Sequence, residues 1–211
     1  MSEPFILTER PSVYLASRSP RRQELLRQLG IEFAELQLRE APGRDPDIIE
    51  SAREGEAPQE YVKRVTRLKA SVGWHRMTRR GLAPRPVLAA DTEVVVDGAV
   101  LGKPKDPADA IAMLTALSGR THEVLTAVAV RWDAQLAQGV STSRVTFRVI
   151  PKDEIERYIA TGEPFDKAGA YAIQGKAAVF IQHLEGSYSG VMGLPLYETA
   201  EILSRIGYQV L

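Results

Sequence analysis

The sequence predicts an α/β fold, and three observations carry that prediction. Short apolar runs of strand character alternate with helical stretches from Val13 almost to the C-terminus. Asp97-Gly98 stands between the apolar runs Val94 to Val96 and Ala99 to Gly102 as a hairpin signal, so antiparallel pairing belongs to the same architecture. The 211 residues, 44% hydrophobic and 26% charged, suffice for one sizeable domain or two small lobes around a real core.

Each element has a local reason. Val13 to Ala16 reads as a buried strand that leads into Ser17-Arg18-Ser19-Pro20-Arg21-Arg22. Ser19 suits an N-cap, Pro20 a first helical turn and Gly30 a C′ stop, with Leu25, Leu26 and Leu29 on one packing face. Ile31 to Leu38 predicts a second strand. Arg39 to Pro58 carries prolines, glycines and many charges, and reads as a long exposed loop with Glu40 at its root. Gln59 to about Arg80 predicts a helix, with Val62, Val65, Leu68 and Val72 as its apolar stripe and Lys69 just off it.

Val87 to Ala90 and Val94 to Val96 are strand-like, and Asp91-Thr92-Glu93 interrupts them. A carboxylate inside so apolar a run is costly unless it is paired, metal-bound or facing a wet cleft. Ala99 to Gly102 returns as a strand and brings Lys103-Pro104 back towards the sheet edge of Asp91. Asp106 to Leu117 predicts a helix, Thr121 to Trp132 and Leu136 to Ile150 two long β-rich runs, and Pro151 to about Ala160 a further helix. Phe165 to Gly175 is rich in small residues that permit close approach of a ligand, and Gln174 has an amide able to read a base edge. Ala177 to Leu184 predicts a buried strand, and Val191 to Ile206 a loop followed by a helix.

The start of the first helix reads either as a capped surface helix with solvated arginines or as a binding site. Free backbone N–H groups, the Ser17 and Ser19 hydroxyls and two guanidinium groups, Arg21 and Arg22, converge there, and such a helix end suits a polyphosphate.

Composition excludes other classes. Lys+Arg and Asp+Glu both number 27, so no global field points to nucleic acid or an anionic membrane. Zero cysteines exclude disulfides, thiolate metal sites and a cysteine nucleophile, and fit a reducing compartment. No signal peptide or membrane span is read, so a soluble, cytoplasmic protein is expected. Walker A, GxGxxG and HExxH patterns are absent, and the three histidines lie in unrelated contexts. Gly186-Ser187-Tyr188-Ser189-Gly190 has tyrosine where a nucleophile elbow needs serine.

Several stretches in order resemble the Maf family of nucleotide pyrophosphatases: Leu15 to Arg22, Lys69-Ala70, Ala90-Asp91-Thr92, Gly102-Lys103-Pro104, Asp166 to Gly175 and Gly186 to Leu196. The resemblance implies one domain over 1–211, with 1–11 as an N-terminal extension. It implies an elongated mixed β-sheet flanked by helices, with two lobes around a central cleft, related to the inosine triphosphate pyrophosphatases. It further implies hydrolysis of a nucleoside triphosphate to the monophosphate and pyrophosphate with a divalent metal cation (Mg²⁺ or Mn²⁺), by a homodimer that needs neither nucleic acid nor membrane.

Carried over by motif, Ser17, Arg21 and Arg22 look like triphosphate ligands, and Lys69 and Lys103 like the lysines over the reacting phosphates. Asp91 resembles the catalytic aspartate, as general base or metal ligand, and Glu40 a second acid and metal ligand, although Arg39-Glu40 departs from the usual Asp-Glu. Arg21, Thr92 and Gln174 are similar to the branch acting on dTTP and UTP rather than that preferring 7-methyl-GTP. Modified pyrimidine nucleotides, in a house-cleaning role, fit the same chemistry. The alternative reading is a non-catalytic nucleotide-binding regulator of septum formation and cell division.

Overall fold

The computed structural model describes residues 12–38, 47–48 and 50–210. Seven strands form one mixed sheet in the order β2-β1-β3-β5-β6-β7, with β4 pairing β3 beside that path. The strands are β1 (Val13–Leu15), β2 (Phe33–Glu35), β3 (Val87–Val96), β4 (Ala99–Leu101), β5 (Thr121–Trp132), β6 (Gln135–Phe147) and β7 (Ile181–Glu185). Helices α1 (Pro20–Gln28), α2 (Pro58–Arg79), α3 (Pro107–Leu117), α4 (Lys152–Ile159), α5 (Tyr188–Met192) and α6 (Leu196–Arg205) flank it. β1 runs parallel to β2 and β3, whereas β3, β4, β5, β6 and β7 pair antiparallel. Among the described residues, no helix is long and apolar enough to cross a membrane.

β3 is the spine. The polar triplet expected to interrupt it lies within one continuous ten-residue strand, since full pairing to β5 from Val87 to Val95 holds the backbone extended. Its other edge is shared by two strands. β1 pairs as far as Leu88, where Ala16 N–H donates to the Leu88 carbonyl, and β4 begins opposite Val94. Ala90 to Glu93 therefore border an opening in the sheet between β1 and β4.

Strand alternation assigns the two faces. Val87, Ala89 and Val95 pack with residues of α2, including Ala70, Met77 and Val62. Leu88 and Ala90 join α1 and α6 through Leu25, Leu26, Ile202 and Leu203, while Val94 and Val96 join α3 and α4. Gly73 lets α2 approach this closely, because a Cβ there would stand 2.8 Å from Val87 Cγ1. Gly169 does the same on the other face: its φ is +66°, and a Cβ would lie 2.9 Å from three Val94 carbons.

Three sequence expectations need correction. Lys69 is not off the buried stripe of α2 but on it, since the stripe runs through Val62, Val65, Thr66, Ala70, Gly73 and Met77, with Leu68 and Val72 only half-buried. Ala177 to Leu184 is not one buried strand. Residues Lys176–Phe180 form a 3₁₀ turn that buries Ala177 and Phe180 on one side, and β7 follows as a half-exposed edge strand that, among the described residues, pairs with β6 alone. The Ala177/Phe180 spacing of three is helical, but the apolar run masks it. Where a loop is expected from Val191, that residue and Met192 instead end the short helix α5, which Ser187 caps by accepting from Gly190 N–H.

Candidate active site

A cleft of about 1220 Å³ opens where β3 lacks a neighbour, and it brings together Ser17, Arg21, Arg22, Lys69, Asp91, Thr92, Lys103 and Gln174. Glu40 and the 1–11 extension lie outside the described residues.

On the α2 face, Lys69 Nζ lies 2.9 Å from Asp91 Oδ1 and 2.8 Å from Glu50 Oε1. Burial works against the ammonium charge, but the two carboxylates outweigh it and hold the Lys69 pKa above its ordinary value. Glu50 reaches this point because residues 47–48 and 50–56 lie back along α2. Asp47 binds Arg76 at 2.7 Å, Tyr61 donates to the Glu50 carbonyl at 2.5 Å, and Glu56 binds Arg64 at 2.6 Å. Buried Ile48 anchors the same segment. Glu93, two residues beyond Asp91 on the same strand face, is 9% exposed. Burial first, then the neighbouring Asp91 charge, pushes its carboxyl pKa up to about 8.

On the opposite face, the Arg22 guanidinium ties three segments together. Its Nε donates to the Gly193 carbonyl at 2.8 Å, Nη1 to Ser17 Oγ at 3.1 Å and Nη2 to Thr92 Oγ1 at 3.3 Å. Thr126, opposite Thr92 in the β3–β5 register, lies 3.1 Å from Thr92 Oγ1 and donates to the Gly190 carbonyl at 2.7 Å. Arg22 is half-buried, and desolvation draws its pKa below the ordinary arginine value against the pull of Asp91. Ser17 Oγ also accepts from Ser19 N–H at 3.2 Å, leaving its own proton to donate. The Ser19 side chain makes no cap bond at α1, so first-turn N–H groups remain open to an anion.

Arg21 pairs instead with Asp166 at 3.5 Å. Asp166 also binds Lys167, whose ammonium donates to the Glu163 carbonyl at 2.8 Å. Glu163 clamps this segment: its carboxylate accepts from Tyr158 O–H and Lys176 N–H, both at 3.0 Å. Exposed Gln174 stands on the loop so fixed. Lys103, just past β4, is exposed at the cleft mouth.

Sequence reasoning missed Glu50, Glu93 and the Asp166–Lys167 pair as groups of this cleft. Glu93 could have been found, since alternation along β3 places it beside Asp91. For Glu50 no local signal existed, because its position depends on how the loop lies against α2. Oxygen donors of the Asp91, Glu93 and Glu50 type suit Mg²⁺ or Mn²⁺. Among the described residues, no group of three or more His, Cys, Asp or Glu side chains is arranged to hold a metal by itself. A cation held by one or two of these carboxylates therefore fits the site with water completing its shell, and phosphate oxygens replacing some of that water when substrate is bound.

Curated relatives are similar over nearly their whole length. A protein named dTTP/UTP pyrophosphatase from Nitrosospira multiformis is 54% identical over 198 residues, covering 94% of this chain and 96% of the relative. One of the same name from Nitrosomonas europaea is 54% identical with the same coverage. Another, from Cupriavidus metallidurans, is 55% identical over 195 residues, 92% of this chain and 96% of its own. A family model described as Maf-like protein matches residues 12–206. The mixed sheet, the motif residues gathered at its opening and this match agree: the chain belongs to the Maf-like family.

Proposed function

We propose that the protein is a nucleoside triphosphate pyrophosphatase that hydrolyses dTTP and UTP to the monophosphate and pyrophosphate. The observation that carries the reading is Lys69 held between Asp91 and Glu50 in the cleft onto which the α1 N-terminus opens. The names of the relatives support the substrate class. The regulator reading is not favoured, since carboxylates lining a polyanion cleft serve chemistry better than simple retention.

In this reading the α1 N–H groups, the Ser17 hydroxyl and Arg21 bind the β- and γ-phosphates, with Arg21 exchanging Asp166 for phosphate oxygens. Arg22 orients Ser17 and the Thr92 strand position rather than giving its whole fork to the substrate. Lys69 and Lys103 stabilise charge developing on the oxygens around the α-phosphorus. Asp91 Oδ1 is engaged by Lys69, and the second carboxylate oxygen accepts the proton of the attacking water. Glu40 serves as a second acid. A divalent cation, Mg²⁺ or Mn²⁺, would be held by Asp91 and Glu40 and would supply Lewis-acid charge stabilisation at the phosphates. Gln174 pairs with the donor and acceptor edge of uracil or thymine.

The proposal includes a single domain of two lobes, a homodimer and a cytoplasmic location, and light scattering on the purified protein tests the dimer. Activity is tested by pyrophosphate release with Mg²⁺ or Mn²⁺ across dTTP, UTP, CTP, GTP, 7-methyl-GTP and 5-methyl-UTP. Turnover led by dTTP, UTP or 5-methyl-UTP supports the reading. Turnover of 7-methyl-GTP alone overturns the roles given to Arg21, Thr92 and Gln174, and tight binding without turnover favours the regulator.

A further inference from the structure

Asp91 and Glu93 share one face of β3, yet their surroundings differ. Asp91 is matched by Lys69, which also binds Glu50. Glu93 is 9% exposed, lines the cleft, and among the described residues makes no hydrogen bond or ion pair. A buried carboxyl without a partner is costly. The same sheet face carries the apolar cluster of Val62, Val95, Leu125 and Ala127, which an apolar residue would extend at no such cost. Its position is therefore explained by something that enters the cleft.

Charge decides what kind of ligand that is. The charges acting on Glu93 are Asp91, Lys69, Glu50 and Lys103, on the acidic side of a cleft whose lining as a whole carries seven cationic side chains and five carboxylates. A polyphosphate alone gains nothing from Glu93, which repels it whenever it is ionised. A cation is attracted by it, and Asp91 by itself is poorly suited because its charge is already shared with Lys69. Small divalent ions are commonly held by one or two carboxylates, with water and substrate phosphate completing the shell.

We propose that Glu93 is a further carboxylate ligand of the divalent cation, acting beside Asp91 on the same strand face. The proposal rests on the pyrophosphatase reading only for the phosphate oxygens that would complete the shell. Glu93 supplies the negative charge that Asp91, paired to Lys69, does not have to spare. The cation thereby sits over the opening between β1 and β4, where phosphates held by α1 can reach it.

The test titrates Mn²⁺ alone into the purified protein and follows the free-ion signal by electron paramagnetic resonance. Wild type is expected to take up one Mn²⁺, and Glu93→Gln to weaken that uptake about tenfold or more. Glu93→Asp, which keeps the charge on a shorter arm, is expected to fall between them. The melting temperature of Glu93→Gln is expected to match or exceed wild type, since an unpaired buried carboxyl has been removed. Unchanged Mn²⁺ affinity in Glu93→Gln, or no uptake by wild type, overturns the proposal. Should Glu93→Gln not fold, Glu93→Asp decides, with unchanged affinity counting against and severalfold weakening in favour. Pyrophosphate release measured in parallel separates the two ideas. Turnover with unaltered metal affinity in the variant removes Glu93 from the metal and leaves the pyrophosphatase reading standing. Metal loss in the variant with no wild-type turnover does the reverse.

Discussion

Lys69 on α2 and Asp91 on β3 meet at 2.9 Å with side chains only 16% and 15% exposed, joining the helix face to the strand at the opening in the sheet. Glu50 binds the same ammonium from a loop. Lys69→Met would leave two carboxylates facing each other without a cation. Breaking a fully buried pair costs roughly 3–5 kcal/mol, and the wet cleft reduces this to about 1–3 kcal/mol. Urea unfolding is expected to show that loss, together with a fall in kcat of roughly 100-fold or more. Stability unchanged in the variant would mean that the pair is not a structural contact.

Arg22 separates a bracing role from a phosphate-binding one. Its three bonds to Gly193, Ser17 and Thr92 use the planar fork, which lysine cannot reproduce. Arg22→Lys keeps the charge and is expected to cost about 2–3 kcal/mol in chemical denaturation. An equal stability with a raised KM would instead assign Arg22 mainly to the substrate.

His122 provides a pH dependence of known sign. It is 2% exposed, its Nε2 lies 2.8 Å from the Tyr171 hydroxyl, and burial pushes its pKa down from 6.5 to about 4. Between those values the unfolded chain binds a proton that the folded protein does not, so stability is full above about pH 6.5 and falls on acidification towards pH 4. The His122 contribution lost between pH 7.5 and pH 5 is about 2 kcal/mol. Unfolding free energies at both pH values, for wild type and His122→Gln, check this. A variant with the same pH slope as wild type would contradict it.

Much of this was legible in the sequence, for physical reasons that differ by residue. Ser19-Pro20 and Gly30 bracket α1, and Asp97-Gly98, with positive φ at both residues, turns β3 into β4. That hairpin is why Lys103 returns to the cleft of Asp91. Lys69 was harder to read, because a lysine on a buried stripe looks like a residue beside it until the packing of Gly73 against Val87 fixes the helix rotation. Glu50 was illegible, since only the pairing of Asp47, Tyr61 and Glu56 along α2 brings it to Lys69. The direction of Arg22, towards Gly193 and Thr92, likewise depends on where α5 lies and not on the local motif.

The most direct test of the central claim compares wild type with Asp91→Asn for both dTTP turnover and dTTP binding in the presence of Mg²⁺. Removing a positioned acid–base group lowers the rate by roughly 100- to 10,000-fold. The expected result is that loss of kcat with dTTP still bound at a Kd within severalfold of wild type, because the α1 N-terminus, Ser17 and Arg21 are untouched. Near-normal turnover by Asp91→Asn would contradict the placement of the chemistry at the opening in β3.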